Sequence, residues 1–224
     1  MADGGIKPLV GQNDLFNKVI SYSSVLGRGA FAAVYRAKCG ELPCAAKILH
    51  DIFHDDPAAQ DLKQRFYQEC DYLRDIKHPN IVQYLGVCQE PAVNQPVLLM
   101  ELMDESLTRF LEHSATPLAR NIQLSICHDV ALALAHLHSI SIVHRDLSSN
   151  NVLLIGPGSR AKVSDFGMSK MMDCNERRLS SLTPLTQAPG TVAYMPQEAL
   201  GGLNPKYTEK LDCFTFGVLT LQDI

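Results

Sequence analysis

One eight-residue segment, His144-Arg145-Asp146-Leu147-Ser148-Ser149-Asn150-Asn151, constrains this chain more than any other. It sets a carboxylate and an amide five residues apart on a short loop, with an arginine directly before the Asp. Fourteen residues beyond Asn151 comes Asp165-Phe166-Gly167, entered through the strand-like run Lys162-Val163-Ser164. Upstream, Leu26-Gly27-Arg28-Gly29-Ala30-Phe31-Ala32-Ala33-Val34 carries a glycine turn, and Cys44–Leu49 is an apolar strand with one cation, Lys47. Glu69 lies in a helical stretch, at the edge of its apolar stripe. Each feature has a plain reading by itself. Gly27 and Gly29 fit an ordinary hairpin turn, Lys47 a solvated strand residue, and Glu69 a helix-surface charge. Their joint order is what carries information.

The loop fits H-R-D-L-x-x-x-N, and the five elements in this order resemble the protein kinase superfamily from about Val19 to the last residue. The resemblance implies an α+β, bilobal fold: a small β-rich N-lobe over about 19–100, a hinge at 101–104, and a mainly helical C-lobe from 105. It also implies an ATP-dependent protein kinase that uses ATP and Mg2+, with ATP in the cleft between lobes. Asp146 would orient the acceptor hydroxyl, and Asn151 and Asp165 would hold the metal. Lys47, paired with Glu69, would neutralise the α- and β-phosphates. Backbone amides of Gly27, Arg28, Gly29, Ala30, Phe31 and Ala32 would approach the phosphates. Leu26, Ala33, Val34, Ala45 and Leu153 would frame the nucleotide, and the backbone of Glu101 and Met103 would bond the adenine edge.

Composition narrows the remaining classes. With 224 residues, 46% of them hydrophobic, the chain can bury a sizeable core in one large domain or two small ones. A formal charge of −4 creates no global basic field, so neither nucleic acid nor an anionic membrane is an expected partner. The resemblance implies protein substrates instead, with an upstream kinase or self-phosphorylation as the activator. Seven cysteines, an odd number without a C-x-x-C pair, suit a reduced, cytoplasmic protein rather than a disulfide scaffold or zinc site. No apolar run nears the roughly 18 residues of a membrane helix. A signal-peptide core is lacking, and Ala2 stands where N-myristoylation requires glycine. His136 and His138 invite a metal reading, but two residues apart they point to different helix faces and read as structural.

Residues 1–18 read as a polar lead-in to a kinase domain at 19–224. Strands are expected at Val19–Leu26, Ala33–Cys39 and Cys44–Leu49, with a turn at Gly40–Pro43 and a loop across 50–60. Gln60–Ile76 is helical by periodicity, with Leu62, Phe66, Cys70, Leu73 and Ile76 on one face. His78–Gly86 opens a strand pair that ends in Val97–Met100. Leu107, Phe110 and Leu111 mark a short helix; Asn121–His138 is a long one, burying Ile122, Ile126, Val130, Leu134 and Leu137.

The acceptor is a finer matter. Gly190-Thr191-Val192-Ala193-Tyr194-Met195 is similar to the G-T-x-x-Y segment of serine/threonine kinases, and the chain has no Trp, which tyrosine kinases usually carry there. Ser148 takes the place of the usual catalytic-loop Lys, and Ser148-Ser149 with Pro196-Gln197-Glu198 looks most like the tyrosine-kinase-like group. Ser/Thr is the expected acceptor, with Tyr open; the alternative is a non-catalytic kinase-like scaffold. Ala32 replaces the third loop glycine and Gln197 the Pro of A-P-E. Arg145 beside Asp146 implies control by phosphorylation of the activation segment, at Thr183 or Thr186 ahead of Ser180 and Ser181. Leu211–Leu219 resembles the start of the central C-lobe helix, whose Asp212 would anchor the catalytic loop. The chain ends five residues later, so the C-lobe is expected to be incomplete, with apolar surface uncovered on that helix and on Asn121–His138.

Overall fold

Successive side chains leave a strand on opposite faces, so the pairing of the first strands decides which residues share a face. The computed structural model describes residues 20–29, 32–50, 57–90, 95–156, 160–166, 169–173, 178–179 and 208–222; the side chains of 57–62, 65, 89–90, 95, 170–173, 178–179 and 222 are outside the description. Strands β1 (Ile20–Arg28), β2 (Ala32–Cys39), β3 (Leu42–Leu49), β4 (Tyr84–Glu90) and β5 (Gln95–Glu101) form one antiparallel sheet in the order β1-β2-β3-β5-β4. Two residues, Gly40 and Glu41, connect β2 to β3, and Gly40 takes a φ of 60° that a hairpin turn of this length demands.

Register decides what each face carries. Val34 lies opposite Lys47, Ala45 opposite Met100, and Lys47 opposite Leu98, so these residues share one face. The other face closes over Ile20, Ala37, Cys39, Cys44, Ala46, Cys88, Val97 and Leu99, with Ile48 and Leu85 packed against them. Burial pushes the Cys44 thiol above its ordinary value, and nearby Cys39 adds to the shift, which marks it as a packing group rather than a nucleophile.

The helices are α1 (Pro57–Asp75), α2 (Leu107–His113), α3 (Arg120–Ser139) and α4 (Lys210–Gln222). Short strands β6 (Glu105–Ser106), β8 (Val152–Ile155) and β9 (Arg160–Val163) make a second sheet, and β7 (Ile142–Val143), β10 (Lys170–Asp173) and β11 (Arg178–Leu179) a third. Ser106 caps α2 by accepting the Arg109 N–H at 3.4 Å. Helix α3 buries Ile126, Val130, Ala133, Leu134 and Leu137, and Ile122 is half-buried. Asp129 of α3 accepts the Ala161 amide of β9 at 2.8 Å. Leu124 and Leu132 of α3 and Phe214 and Leu221 of α4 are exposed.

Several local expectations differ from the structure: β1 runs on to Arg28 rather than ending at Leu26, and β4 begins at Tyr84 rather than in the His78–Gly86 segment's first half. Helix α1 begins at Pro57, inside the expected 50–60 loop; Pro suits a first helical turn, where its missing N–H is not needed. Pro43, expected in a turn, lies within β3, on the overhang before pairing with β5 begins at Cys44 and Glu101.

The chain divides into two compact units. One draws on residues up to Lys63 together with Tyr84–Leu102, and the other on Gln64–Gln83 and residues from Met103 on. Most of α1 thus groups with the second unit, whereas the sequence placed it in the N-lobe. The reason lies after the helix. Asn80 Nδ2 donates to Ala161 O at 3.1 Å, Val163 N to Asn80 O at 2.8 Å, and Val82 N to Val163 O at 3.0 Å. The segment thereby joins β9 in a parallel bridge, Ile81 to Val163.

Leu137 has no exposed surface, so Leu137→Ala leaves a cavity. Urea denaturation should show a loss of about 2–5 kcal/mol with an unchanged m-value.

Candidate active site

The second unit gathers its polar groups around Asp212, which has no exposed surface. One carboxylate oxygen accepts the Arg145 amide at 2.8 Å; the other accepts the His144 amide at 2.8 Å and His138 Nε2 at 2.8 Å. Three donors from two segments converge on one buried anion. His144 is also fully buried, and both of its ring nitrogens are engaged. Nε2–H donates to Ser164 O at 2.9 Å, and Nδ1 accepts the Asp146 amide at 3.3 Å, so one tautomer serves both bonds. Phe166 packs edge-on against the same ring at 5.1 Å, and Ser169 Oγ donates to His144 O at 3.2 Å.

These contacts hold two non-glycine residues in the left-handed region. Arg145 has a φ of 72° and Asp165 a φ of 62°. Such a conformation costs about 1–3 kcal/mol per residue and persists where surrounding contacts over-determine it. Arg145 is held through its amide on Asp212, and Asp165 lies between Ser164 and buried Phe166, both tied to His144.

Asp146 and Asn151 meet directly. Asn151 Nδ2 donates to Asp146 O at 2.6 Å and to its carboxylate Oδ2 at 3.1 Å. The Asn151 carbonyl accepts both Ser164 N at 2.9 Å and Ser164 Oγ at 3.1 Å, which brings the chain entering Asp165 onto the catalytic loop. A turn from Ser148 O to Asn151 N, at 3.0 Å, closes the loop. Thr108 of α2 braces it, bonding Ser149 through both its hydroxyl, 2.9 Å, and its amide, 3.2 Å. With its amide nitrogen committed to Asp146, Asn151 presents an amide oxygen. That oxygen and the Asp165 carboxylate are hard donors of the kind Mg2+ takes while keeping several waters or phosphate oxygens. Among the described residues no group of three or more His, Cys, Asp or Glu could hold a metal.

In the first unit, Gly27 lies near the end of β1 and Gly29 directly follows that strand. A Cβ built on Gly27 would meet nothing within 4 Å, and one on Gly29 only Ala32 O at 3.5 Å. Among the described residues, packing does not require bare backbone at either position. The Gly29 amide is committed to Ala32 O at 2.8 Å, so in this conformation it is not a phosphate donor as expected. His50 binds Gly29 O at 3.0 Å. Leu26 and Val34 are half-buried, Arg28 exposed, and Ala32, Ala33 and Ala45 buried. Lys47 is half-buried in mid-strand and Glu101 ends β5.

Glu69 is buried on α1, Met103 is buried, and Leu153 stands half-buried on β8, opposite Ser106 and Lys162; all three belong to the second unit. Ala30, Phe31, Gly167, Ser180, Ser181, Thr183, Thr186 and Gly190–Glu198 lie outside the described residues. The sequence did not mark His138 or Ser164 as parts of the site. His138 was read as structural, and its tie to Asp212 spans 74 residues.

The model of the protein tyrosine and serine/threonine kinase family matches residues 20–222. This chain belongs to the protein kinase family. The kinase is 31% identical over 206 residues, 92% of its length, to "Probable serine/threonine-protein kinase kinX" of Dictyostelium discoideum. It is 34% identical over 206 residues, 89% of its length, to "MDIS1-interacting receptor like kinase 2" of Arabidopsis thaliana. It is 30% identical over 194 residues, 85% of its length, to "Serine/threonine/tyrosine-protein kinase HT1" of the same plant. The chain spans 18%, 19% and 46% of those relatives respectively. Its α+β architecture is consistent with the kinase fold.

Asp212→Asn tests the anchor. The new NH2 must face one of the amides that Asp212 now accepts, so urea denaturation should show a loss of about 1–3 kcal/mol.

Proposed function

We propose that this kinase transfers the γ-phosphoryl of ATP to serine or threonine hydroxyls of protein substrates. The observation that carries the reading is the Asp146–Asn151 pair, joined side chain to side chain on a loop pinned by buried Asp212. Asp146 orients the incoming hydroxyl and takes up its proton, since the Asn151 amide and the loop backbone fix where its carboxylate points. Asn151 and Asp165 hold Mg2+, which when bound offsets charge on the phosphate oxygens. Lys47, which shares one face of the sheet with Val34 and Ala45, would supply positive charge to the α- and β-phosphates. Leu26, Val34 and Ala45 would pack against the base, with the backbone of Glu101 reading its edge. Bare backbone at Gly27 admits the phosphates.

Serine/threonine preference is supported by Gly190–Met195 and by the serine/threonine names of relatives. Ser148 in place of a loop lysine removes one positive charge near the transferring group, which favours retaining tyrosine as a second acceptor. A relative named for both kinds of acceptor is in keeping with that. We also place the protein in the reducing cytoplasm. None of the six described cysteines is in a disulfide, and no described helix is long and apolar enough to cross a membrane.

Asp146→Asn and Lys47→Met should each reduce ATP-dependent phosphorylation of a protein substrate at least a hundredfold, with circular dichroism unchanged. Phosphoamino-acid analysis of the wild-type product should yield phosphoserine or phosphothreonine. Undiminished transfer by either variant would overturn the assignment.

A further inference from the structure

His78 and His136 lie face to face, ring centroids 4.8 Å apart and planes within 17°. His78 begins the segment bridged to β9, and His136 sits in the last turn of α3. Nδ1 of His78 accepts the Asn80 amide at 3.2 Å, so the neutral ring carries its proton on Nε2. That arrangement argues against a metal site. Buried Asn80 then reaches β9 twice, through Nδ2 to Ala161 O and through its carbonyl from Val163 N. Two residues past Val163 stands Asp165.

We propose that the His78–His136 stack is an acid-sensitive latch that holds the His78–Val82 segment on β9. Protonating His78 puts a proton on Nδ1, head-on to the Asn80 N–H, and breaks the turn that aims Asn80 at β9. Protonating both rings places two like charges face to face. Burial, and then the charge of His136, hold His78 below the usual imidazole range. Because folding lowers the proton affinity of His78, the latch is intact above that range and is lost as pH falls through it. Other charged groups nearby on these elements are already engaged or lie along the strand. Arg74 of α1 pairs with Asp71 and Asp75, and Asp129 of α3 holds the Ala161 amide. Lys77 precedes His78, and Arg160 and Lys162 lie on β9. Among the described residues His136 supplies the charge that shifts His78.

The latch belongs to the fold whether or not the chain transfers phosphate, so its test needs no activity. Amide hydrogen exchange, corrected for intrinsic rate, should show protection at Val82 and Val163 falling on the order of tenfold between about pH 7.5 and about pH 5.5. His78→Asn keeps an acceptor for the Asn80 amide, in the manner of an Asx-turn, and does not titrate. His136→Phe keeps a stacking ring without the second charge. His78→Asn should hold its protection across the same range, whereas His136→Phe, in which His78 still titrates, should lose protection but by less than the wild type. Unchanged protection in the wild type, or an equal fall in wild type and His78→Asn, would overturn the proposal.

Discussion

A carboxylate with no exposed surface, Asp212, accepts two consecutive backbone amides and an imidazole, and the catalytic loop takes its shape from that convergence. A buried anion is tolerated only when its lone pairs are met by donors, so the bonds are mutually obligatory. Arg145 can remain in the left-handed region because its amide has nowhere better to go. His144, fixed at its backbone by Asp212, has a ring that organises everything after it: the Asp146 amide on one nitrogen, Ser164 on the other, Phe166 on its flank. The carboxylate itself has no exposed surface. It acts by leaving the residues around it one arrangement.

Much of this was legible because the chemistry demands residue types at short range. The His144–Asn151 spacing returns Asn151 onto Asp146 within a single loop, so a local pattern carried a local geometry. Strand and helix periods likewise gave the sheet and the buried faces of α1 and α3. What the pattern lacked was partners. Nothing in His138 announces a bond to a residue 74 positions away, and the i, i+2 pair of histidines, pointing to different helix faces, read as structural. Helix α1 read as a satellite of the sheet before it, yet Asn80 and Val82 bond to β9 much further along. Hydrophobic period tells which face is buried but not against what. The start of α1 at Pro57 was hidden because proline signals loop and first helical turn alike.

The first unit shows a different economy. Its sheet buries small side chains and thiols on one face and sets Lys47, Val34 and Ala45 together on the other. Among the described residues nothing lies within 4 Å of a Cβ built on Gly27, and the Gly29 amide bonds Ala32 O. Lys47, fixed in mid-strand, is the cation that the proposed function assigns to the phosphates.

Nucleotide binding tests the account most directly. The melting temperature of the chain should rise with ATP when Mg2+ is present and rise less when the metal is chelated, since a ligand that binds only the folded state stabilises it by mass action. At about a hundredfold excess over the dissociation constant the gain is about 2.7 kcal/mol, a shift readily read by calorimetry. A melting temperature indifferent to ATP with Mg2+ at millimolar concentration would contradict the reading of these residues as a nucleotide site.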